Sequence, residues 1–430
     1  MTQLNETHDA SALSWVAGAD QHSDFPLQNL PFGIFRHGSD APRGGVAIGD
    51  QIVDLAASLD AGLFDGEGSE AAKAASGPIL NPLFDLPASA TSALRRQLFS
   101  ALKSDGDGDG EGKTVLIAQS KVEMMVPVAI GAFTDFLCSY DHAFRVTGGK
   151  PAPAFEYLPI AYNSRASSVG VGPTVRRPLG QSRLPDGSVQ FGPEPTLDYE
   201  LEIGAFLRAG NPLGESMTVA EARDAIFGYC LLNDWSARSI QFFETQPLGP
   251  FLGKNFATTI SPWIVTAEAL LPFRSPATRR REGASSLAAY LADEVDQACG
   301  NLDIELEAWI SSDRMRAAGQ PEMRVVRSNA NVSYWTIAQM VTHHASNGCN
   351  LRPGDLLGSG TLSGPTDEAR ACLLETSQRG TVPFSLPSGE TRCYLEDGDE
   401  VVFRGQARRE GAVSIGFGSC RARVLSAPVQ

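Results

Sequence analysis

Leu197-Asp198-Tyr199-Glu200-Leu201-Glu202-Ile203-Gly204-Ala205-Phe206 alternates residue by residue, with Tyr199, Leu201, Ile203 and Ala205 in one set of positions and Asp198, Glu200, Glu202 and Gly204 in the other. A period of two is strand geometry, so the run predicts a β-strand that carries both glutamates on one face. A second alternating run occupies residues 301–310, and after residue 126 helical patterns occupy residues 218–226 and 286–297. The turn clusters Arg352-Pro353-Gly354-Asp355 and Glu396-Asp397-Gly398-Asp399 each lead into an apolar strand. Residues 126–430 therefore read as one large mixed α/β domain dominated by sheet.

Working outward to the N-terminus, Phe32-Gly33-Ile34-Phe35, Val46-Ala47-Ile48 and Gln51-Ile52-Val53-Asp54-Leu55 are short apolar runs punctuated by Pro31, Pro42, Gly44 and Gly49. That spacing predicts a small β unit within residues 1–125, followed by a helix near 89–102. The octet from Asp105 to Gly112 alternates acid and glycine and imitates the start of an EF-hand loop. Such a loop needs a glutamate at its twelfth position, which here is Leu116, so a solvated acidic connector is the better reading.

The chain has 430 residues and a formal charge of −15, from 35 Lys+Arg and 50 Asp+Glu. A phosphate backbone requires a basic surface, and the densest basic runs, Arg279-Arg280-Arg281 and Arg176-Arg177, are short. Nucleic acid is excluded as a partner, and divalent cations suit the balance better. The first residues lack the basic start and apolar run of a secretory signal, and no stretch is long and apolar enough to span a membrane. The seven cysteines form no C-x-x-C pair, so buried reduced thiols and a cytoplasmic protein are expected. No G-x-S-x-G elbow or phosphate-binding loop is present, and Gly358-Ser359-Gly360-Thr361-Leu362-Ser363-Gly364 runs into Pro365 rather than opening a helix.

Three clusters carry candidate chemistry. Glu200 and Glu202, with Cβ atoms about 6–7 Å apart on one strand face, repel each other unless a cation lies between them. Glu305-Leu306-Glu307 repeats the pattern, so spacing alone leaves both pairs open, as it does the reading of a solvent-facing edge. Asp135 and His142 lie within eight residues and could deliver a metal ligand and a general base from one loop. Asp234, Arg238 and Gln241 recur at three- to four-residue spacing, with Lys254 beyond them, and would share a face if the segment were helical. An acid, a guanidinium, an amide and an ammonium can together hold a metal and neutralise an oxyanion; a structural ion-pair network has the same composition. His343-His344 reads as packing, because adjacent side chains do not face one way on either helix or strand.

Read in order, Arg165-Ala166-Ser167-Ser168-Val169, Arg176-Arg177-Pro178-Leu179-Gly180-Gln181, Leu232-Asn233-Asp234-Trp235-Ser236-Ala237-Arg238, Pro247-Leu248-Gly249-Pro250-Phe251-Leu252-Gly253-Lys254 and the run from Thr342 to Asp355 resemble the fumarylacetoacetase family. The resemblance extends from Leu30 to Gly418. It implies a small SH3-like β-barrel in residues 1–125, a catalytic β-roll domain in residues 126–430, a homodimer, and a magnesium or calcium ion in each active site. It matches Asp135, Glu200, Glu202 and Asp234 to metal ligands, thereby demoting Glu305 and Glu307, and places Lys254 and Thr258 at a second cation site. His142 falls on the general base and Glu375 on the acid that orients it. Arg238, Gln241 and Lys254 fall where the family steadies charge on the substrate.

The activity so implied is hydrolysis of a carbon–carbon bond in a 1,3-diketo acid, fumarylacetoacetate to fumarate and acetoacetate, in tyrosine and phenylalanine catabolism. The resemblance also maps Leu137, Arg145, Tyr162, Gln241, Thr245 and Thr361 to substrate contacts, and here the sequence departs from the family pattern. Leu137 and Thr245 replace tyrosines, and Pro151 stands where a substrate arginine is usual, leaving Arg145 as its replacement. Tyr162-Asn163-Ser164-Arg165 replaces Tyr-His-Gly-Arg. An acylpyruvate or related diketo acid is the alternative substrate class, and a non-catalytic binding relative is the third reading.

Overall fold

The computed structural model describes residues 3–104, 110–184 and 186–429. The acidic connector falls largely on residues 105–109, outside the described residues, and Gly110–Lys113 forms a short helical turn after it.

The N-terminal runs form a five-stranded antiparallel sheet in the order Leu116–Ala118, Gln51–Asp54, Arg43–Ile48, Phe32–His37, Val122–Met125. Helices Gly66–Ala75 and Ala88–Leu102 pack beside it. The second helix buries Ala90, Leu94, Leu98 and Leu102 at four-residue intervals, the stripe expected of a helix lying on a core. Gly44 admits the first of these helices, since a Cβ there would lie 1.7 Å from the Ala75 carbonyl oxygen.

The remaining chain builds two principal sheets. The larger runs Ile160–Ser164, Phe133–Leu137, Leu356–Gly358, Leu201–Leu207, Ile226–Asp234, Thr258–Ile260, Val169–Gly170, with Val265–Thr266 also pairing Ile226–Asp234. The second runs Met323–Asn329, Ile304–Ser311, Glu400–Ala407, Ile415–Leu425, Thr174–Arg176. One apolar core fills the space between the sheets. On the far face of the larger sheet, Phe206, Phe227, Leu232, Ile260 and Ile264 join the core of the N-terminal unit. Phe32 and Ile264 exchange backbone hydrogen bonds of 3.1 and 2.8 Å across that junction.

The larger sheet is thus covered on both faces. Leu201–Leu207 and Ile226–Asp234 are buried at every residue instead of presenting a solvent edge. The alternating run is also two strands: Leu197–Asp198 pairs with Ser236–Ala237, and Glu200 lies just ahead of Leu201–Leu207. Residues 286–297 do not form one helix. A single 3-10 turn, Ala289–Leu291, precedes helix Glu294–Cys299, because the Asp293 side chain accepts from the Asp296 N–H and starts a new helix there.

Candidate active site

The pairing register draws the candidate residues into a row across the larger sheet. Tyr162 pairs with Asp135, Asp135 with Gly358, Gly358 with Gly204, and Asp234 with Thr258. Glu202 lies two residues from Gly204, and the Asp234 N–H reaches the Glu200 carbonyl at 3.3 Å. Oxygens of Asp135, Glu200, Glu202 and Asp234 all lie within 4.8 Å of one another, and all four residues are buried. Gly358 leaves the room for this: a Cβ there would lie 2.5 Å from Asp135 Oδ1 and 3.0 Å from Glu202 Oε2. Asp234 ends strand Ile226–Asp234, whereas Arg238 and Gln241 stand on helix Arg238–Glu244, so the expected shared helical face is replaced by a strand end and the helix after it.

Two cations serve these carboxylates. Lys254 Nζ lies 2.7 Å from Glu200 Oε2 and 2.6 Å from Asp234 Oδ2. Arg238 meets Glu200 Oε1 at 2.6 Å and also clasps Asp198 Oδ2 through Nε and a terminal nitrogen at 2.9 and 2.8 Å. Asp135 and Glu202 form no ion pair among the described residues. Burial, joined by Asp234, pushes Asp135 well above the usual carboxylate range, and burial with Asp135 and Asp234 does the same to Glu202. Burial also pushes Glu200 upward, but Lys254 and Arg238 outweigh it and hold that carboxyl below its ordinary value.

Asp135 Oδ1, Glu202 Oε1 and Asp234 Oδ1 are buried without hydrogen-bond partners. The Tyr162 hydroxyl lies 2.9 Å from Asp135 Oδ2 and 2.7 Å from Asp234 Oδ2, yet it has one proton to give. Converging acceptors, orphaned oxygens and too few donors fit a hard cation with oxygen ligands.

The His142 dyad lies close enough for its imidazole to act electrostatically on Glu200. Ser139 caps helix Tyr140–Val146 by accepting from the His142 N–H, so Asp135 and His142 are delivered by a strand, Phe133–Leu137, and the helix that follows, not by one loop. His142 Nδ1 lies 2.9 Å from Glu375 Oε2, which also accepts from Ser363 Oγ at 2.6 Å and Cys372 Sγ at 3.2 Å. Burial raises Glu375, but His142, Ser363 and Cys372 together bring it down to about 2. An ionised carboxylate can only accept, so it fixes the proton on Nδ1 and leaves Nε2 with the lone pair.

The remaining predicted residues are placed as follows. Arg145 donates to Glu375 Oε1 at 3.2 Å and to the Gly364 carbonyl at 2.9 Å. Gln241 Oε1 accepts from Arg238 at 3.2 Å, and the Thr245 hydroxyl donates to the Gln241 carbonyl at 2.5 Å. Thr258 and Thr361 are buried, with Thr361 Oγ1 unpartnered, and Leu137 is half-buried at the end of its strand. Glu305 and Glu307 lie on the second sheet, paired with Arg327, Arg408 and Arg324. His343 and His344 pack as expected, against the Tyr290 and Thr134 hydroxyls. Sequence reasoning missed Asp198, Ser363, Cys372 and Gly358. Asp198 had a signal, an acid on the same alternating positions as Glu200 and Glu202; the others act through contacts that spacing does not reveal.

A buried four-carboxylate cluster beside a carboxylate-oriented imidazole is the equipment of a metal-dependent hydrolase. The family model described as fumarylacetoacetase N-terminal matches residues 28–127, and that described as fumarylacetoacetate hydrolase C-terminal matches residues 131–425. The chain belongs to the fumarylacetoacetate hydrolase family. It is 44% identical over 426 residues to the fumarylacetoacetase of Arabidopsis thaliana, covering 96% of this chain and 97% of that one. It is 42% identical over 429 residues to the Homo sapiens fumarylacetoacetase, covering 96% and 99%. The maleylpyruvate hydrolase of Sphingobium shares the fold, with a TM-score of 0.50 at 16% identity over 93% of this chain and 100% of that one.

Proposed function

We propose that this chain hydrolyses fumarylacetoacetate to fumarate and acetoacetate. The observation that carries the reading is the His142–Glu375 dyad beside the carboxylate cluster, in a chain alike end to end to fumarylacetoacetases. The orphaned oxygens of Asp135, Glu202 and Asp234, with Glu200, suit a magnesium or calcium ion, which when bound supplies Lewis acidity toward the diketone oxygens.

His142 Nε2 takes a proton from water, Glu375 steadies the imidazolium, and the hydroxide adds to the carbonyl carbon on the fumaryl side. The bond from that carbon to the methylene breaks, its electron pair passes to the acetoacetate enolate, and His142 returns the proton there. Arg238 has spent four of its five N–H donors on Asp198, Glu200 and Gln241, so it positions these groups more than it meets substrate. Gln241, whose oxygen faces Arg238, has its amide hydrogens to offer an oxyanion, and Lys254 has one N–H beyond its two carboxylates. Asp234 and Glu200 overcome burial and hold Lys254 protonated, so the ammonium has no lone pair to give and a second cation would take only its backbone carbonyl, with Thr258.

Substrate contacts are assigned to Leu137, Tyr162, Gln241, Thr245 and Thr361, while Arg145 serves Glu375. The Thr245 proton is committed to its own helix, and Leu137 offers no hydroxyl. That observation keeps an acylpyruvate as the second substrate reading. We read the N-terminal sheet as the small barrel and the two larger sheets as the β-roll. A second copy covering the exposed Leu248, Phe251 and Leu252 fits a homodimer. Seven unpaired cysteines suit the cytoplasm, and no helix among the described residues is long and apolar enough to cross a membrane.

The test follows loss of substrate ultraviolet absorbance with purified protein, with and without chelator, on fumarylacetoacetate and on several acylpyruvates. Chelator-sensitive turnover preferring fumarylacetoacetate is expected. Turnover of acylpyruvates alone would transfer the assignment to them.

A further inference from the structure

We propose that the cleft between the N-terminal unit and the larger sheet binds a compact oxyanion, a small molecule bearing phosphate or carboxylate groups. The cleft encloses about 460 Å³, within the range of ligand pockets, and shares no residue with the carboxylate cluster or the His142 dyad. Arg208, Arg223 and Arg274 line one side, and Thr91 and Ser92, from the first two turns of helix Ala88–Leu102, line the other.

What the cleft offers is donors. Arg208 forms no ion pair among the described residues, and its guanidinium donates to the Leu86 carbonyl at 2.6 Å. Burial alone acts on that guanidinium, lowering its pKa, with no carboxylate near enough to counter it. Arg274 also forms no ion pair of hydrogen-bonding length among the described residues, but its side chain bonds the Tyr229 hydroxyl and its charge acts on the buried Asp296. Arg223 gives one terminal nitrogen to Asp293 at 3.1 Å, but its Nε is buried without a partner. Thr91 is 6% exposed, and its hydroxyl is also unpartnered. The fifteen-residue helix begins at Ala88, after Pro87 and with no side chain capping it, so its first N–H groups add a positive end.

Acceptors are scarcer. Asp224 and Glu268 lie in the wall, and Glu268 Oε1 already receives Asn5 Nδ2 at 2.8 Å and Ser92 Oγ at 2.9 Å. Asp293 pairs with Arg223, and the buried Asp296 feels both Arg223 and Arg274, which leaves Arg208 as the guanidinium of the lining without a carboxylate counter-charge among the described residues. An uncompensated, half-buried arginine is costly unless an anion accompanies it, and unpartnered donors call for an acceptor-only ligand. Oxyanions have that chemistry. Bound there, the ligand would tie the N-terminal helix to the sheet and stabilise their junction.

The test titrates full-length, magnesium-loaded protein calorimetrically with inorganic phosphate and, separately, with succinate. Amide hydrogen exchange is followed at residues 88–92. Saturable binding is expected, slowing exchange there, with affinity at least ten-fold weaker in Arg208→Gln and in Arg274→Gln, less weakened in Arg208→Lys, and unchanged in His142→Ala. Unaltered melting of the arginine variants without ligand would show that they fold. Tighter phosphate binding would assign the phosphate class, and tighter succinate binding the carboxylate class. Absence of saturable binding by both probes at millimolar concentration, or affinity unchanged in both glutamine variants, overturns the proposal.

Discussion

His142 and Arg145 stand three residues apart on helix Tyr140–Val146 and grip the two oxygens of one carboxylate, His142 on Glu375 Oε2 and Arg145 on Oε1. Ser363 and Cys372 share Oε2 with His142, so Arg145 is the side chain that holds Oε1 and keeps the carboxylate, and the imidazole with it, from pivoting about that one oxygen. Arg145→Ala is therefore expected to lower kcat about ten-fold, a loss of about 1.4 kcal/mol of transition-state stabilisation, while leaving KM nearly unchanged. Steady-state kinetics decide the matter, because a residue that grips substrate carboxylate would raise KM instead. Glu375 also carries a pH signature. Its folded-state value of about 2 lies below the ordinary 4.5, so its contribution is present above pH 4.5 and is lost as pH falls toward 2. In urea titrations the stability gap between wild type and Glu375→Gln should accordingly narrow over that window; a gap independent of pH would contradict the pairing.

Strands supply the next level of order, and the two Glu-Leu-Glu segments show how much of it the sequence displays. Both read identically by period. Glu305 and Glu307 are partly exposed partners of arginines on the open face of an interior strand, whereas Glu200 and Glu202 are buried because both faces of their sheet are covered. Which pair is buried depends on the docking of segments more than a hundred residues away, and no local pattern encodes that. The strand at 201–207, the helices at 88–102 and 219–225 and the closeness of Asp135 to His142 were legible because period and capping are local. The cradle at Gly358 was not, since its meaning arises from side chains on neighbouring strands. Gly358→Ala should press a methyl group against Asp135 and Glu202 and weaken magnesium affinity at least ten-fold by calorimetry. Glu307→Gln should leave that affinity unaltered and change stability by less than about 1 kcal/mol, as for other partly exposed pairs.

At the scale of the whole molecule, the N-terminal unit completes the sheet that bears the site. Phe227 projects from strand Ile226–Asp234 into that junction, its ring centroid 4.7 Å from Phe84 and 6.0 Å from Phe32. The same strand ends at Asp234, so the face that docks the N-terminal unit and the end that serves the carboxylate cluster belong to one element. Such sharing couples the two units, because separating them would expose Phe206, Phe227, Leu232, Ile260 and Ile264 together. Thermal or urea unfolding should then follow a single transition, with far-ultraviolet circular dichroism and tryptophan fluorescence superimposing. Phe227→Ala should lower the midpoint of that one transition, at a cost of about 3–5 kcal/mol for an aromatic ring removed from a packed core. A variant that instead separated into an early N-terminal and a later C-terminal transition would show that the sheet stands without its cover, and that the burial of Glu200 and Glu202 arises within the two larger sheets alone.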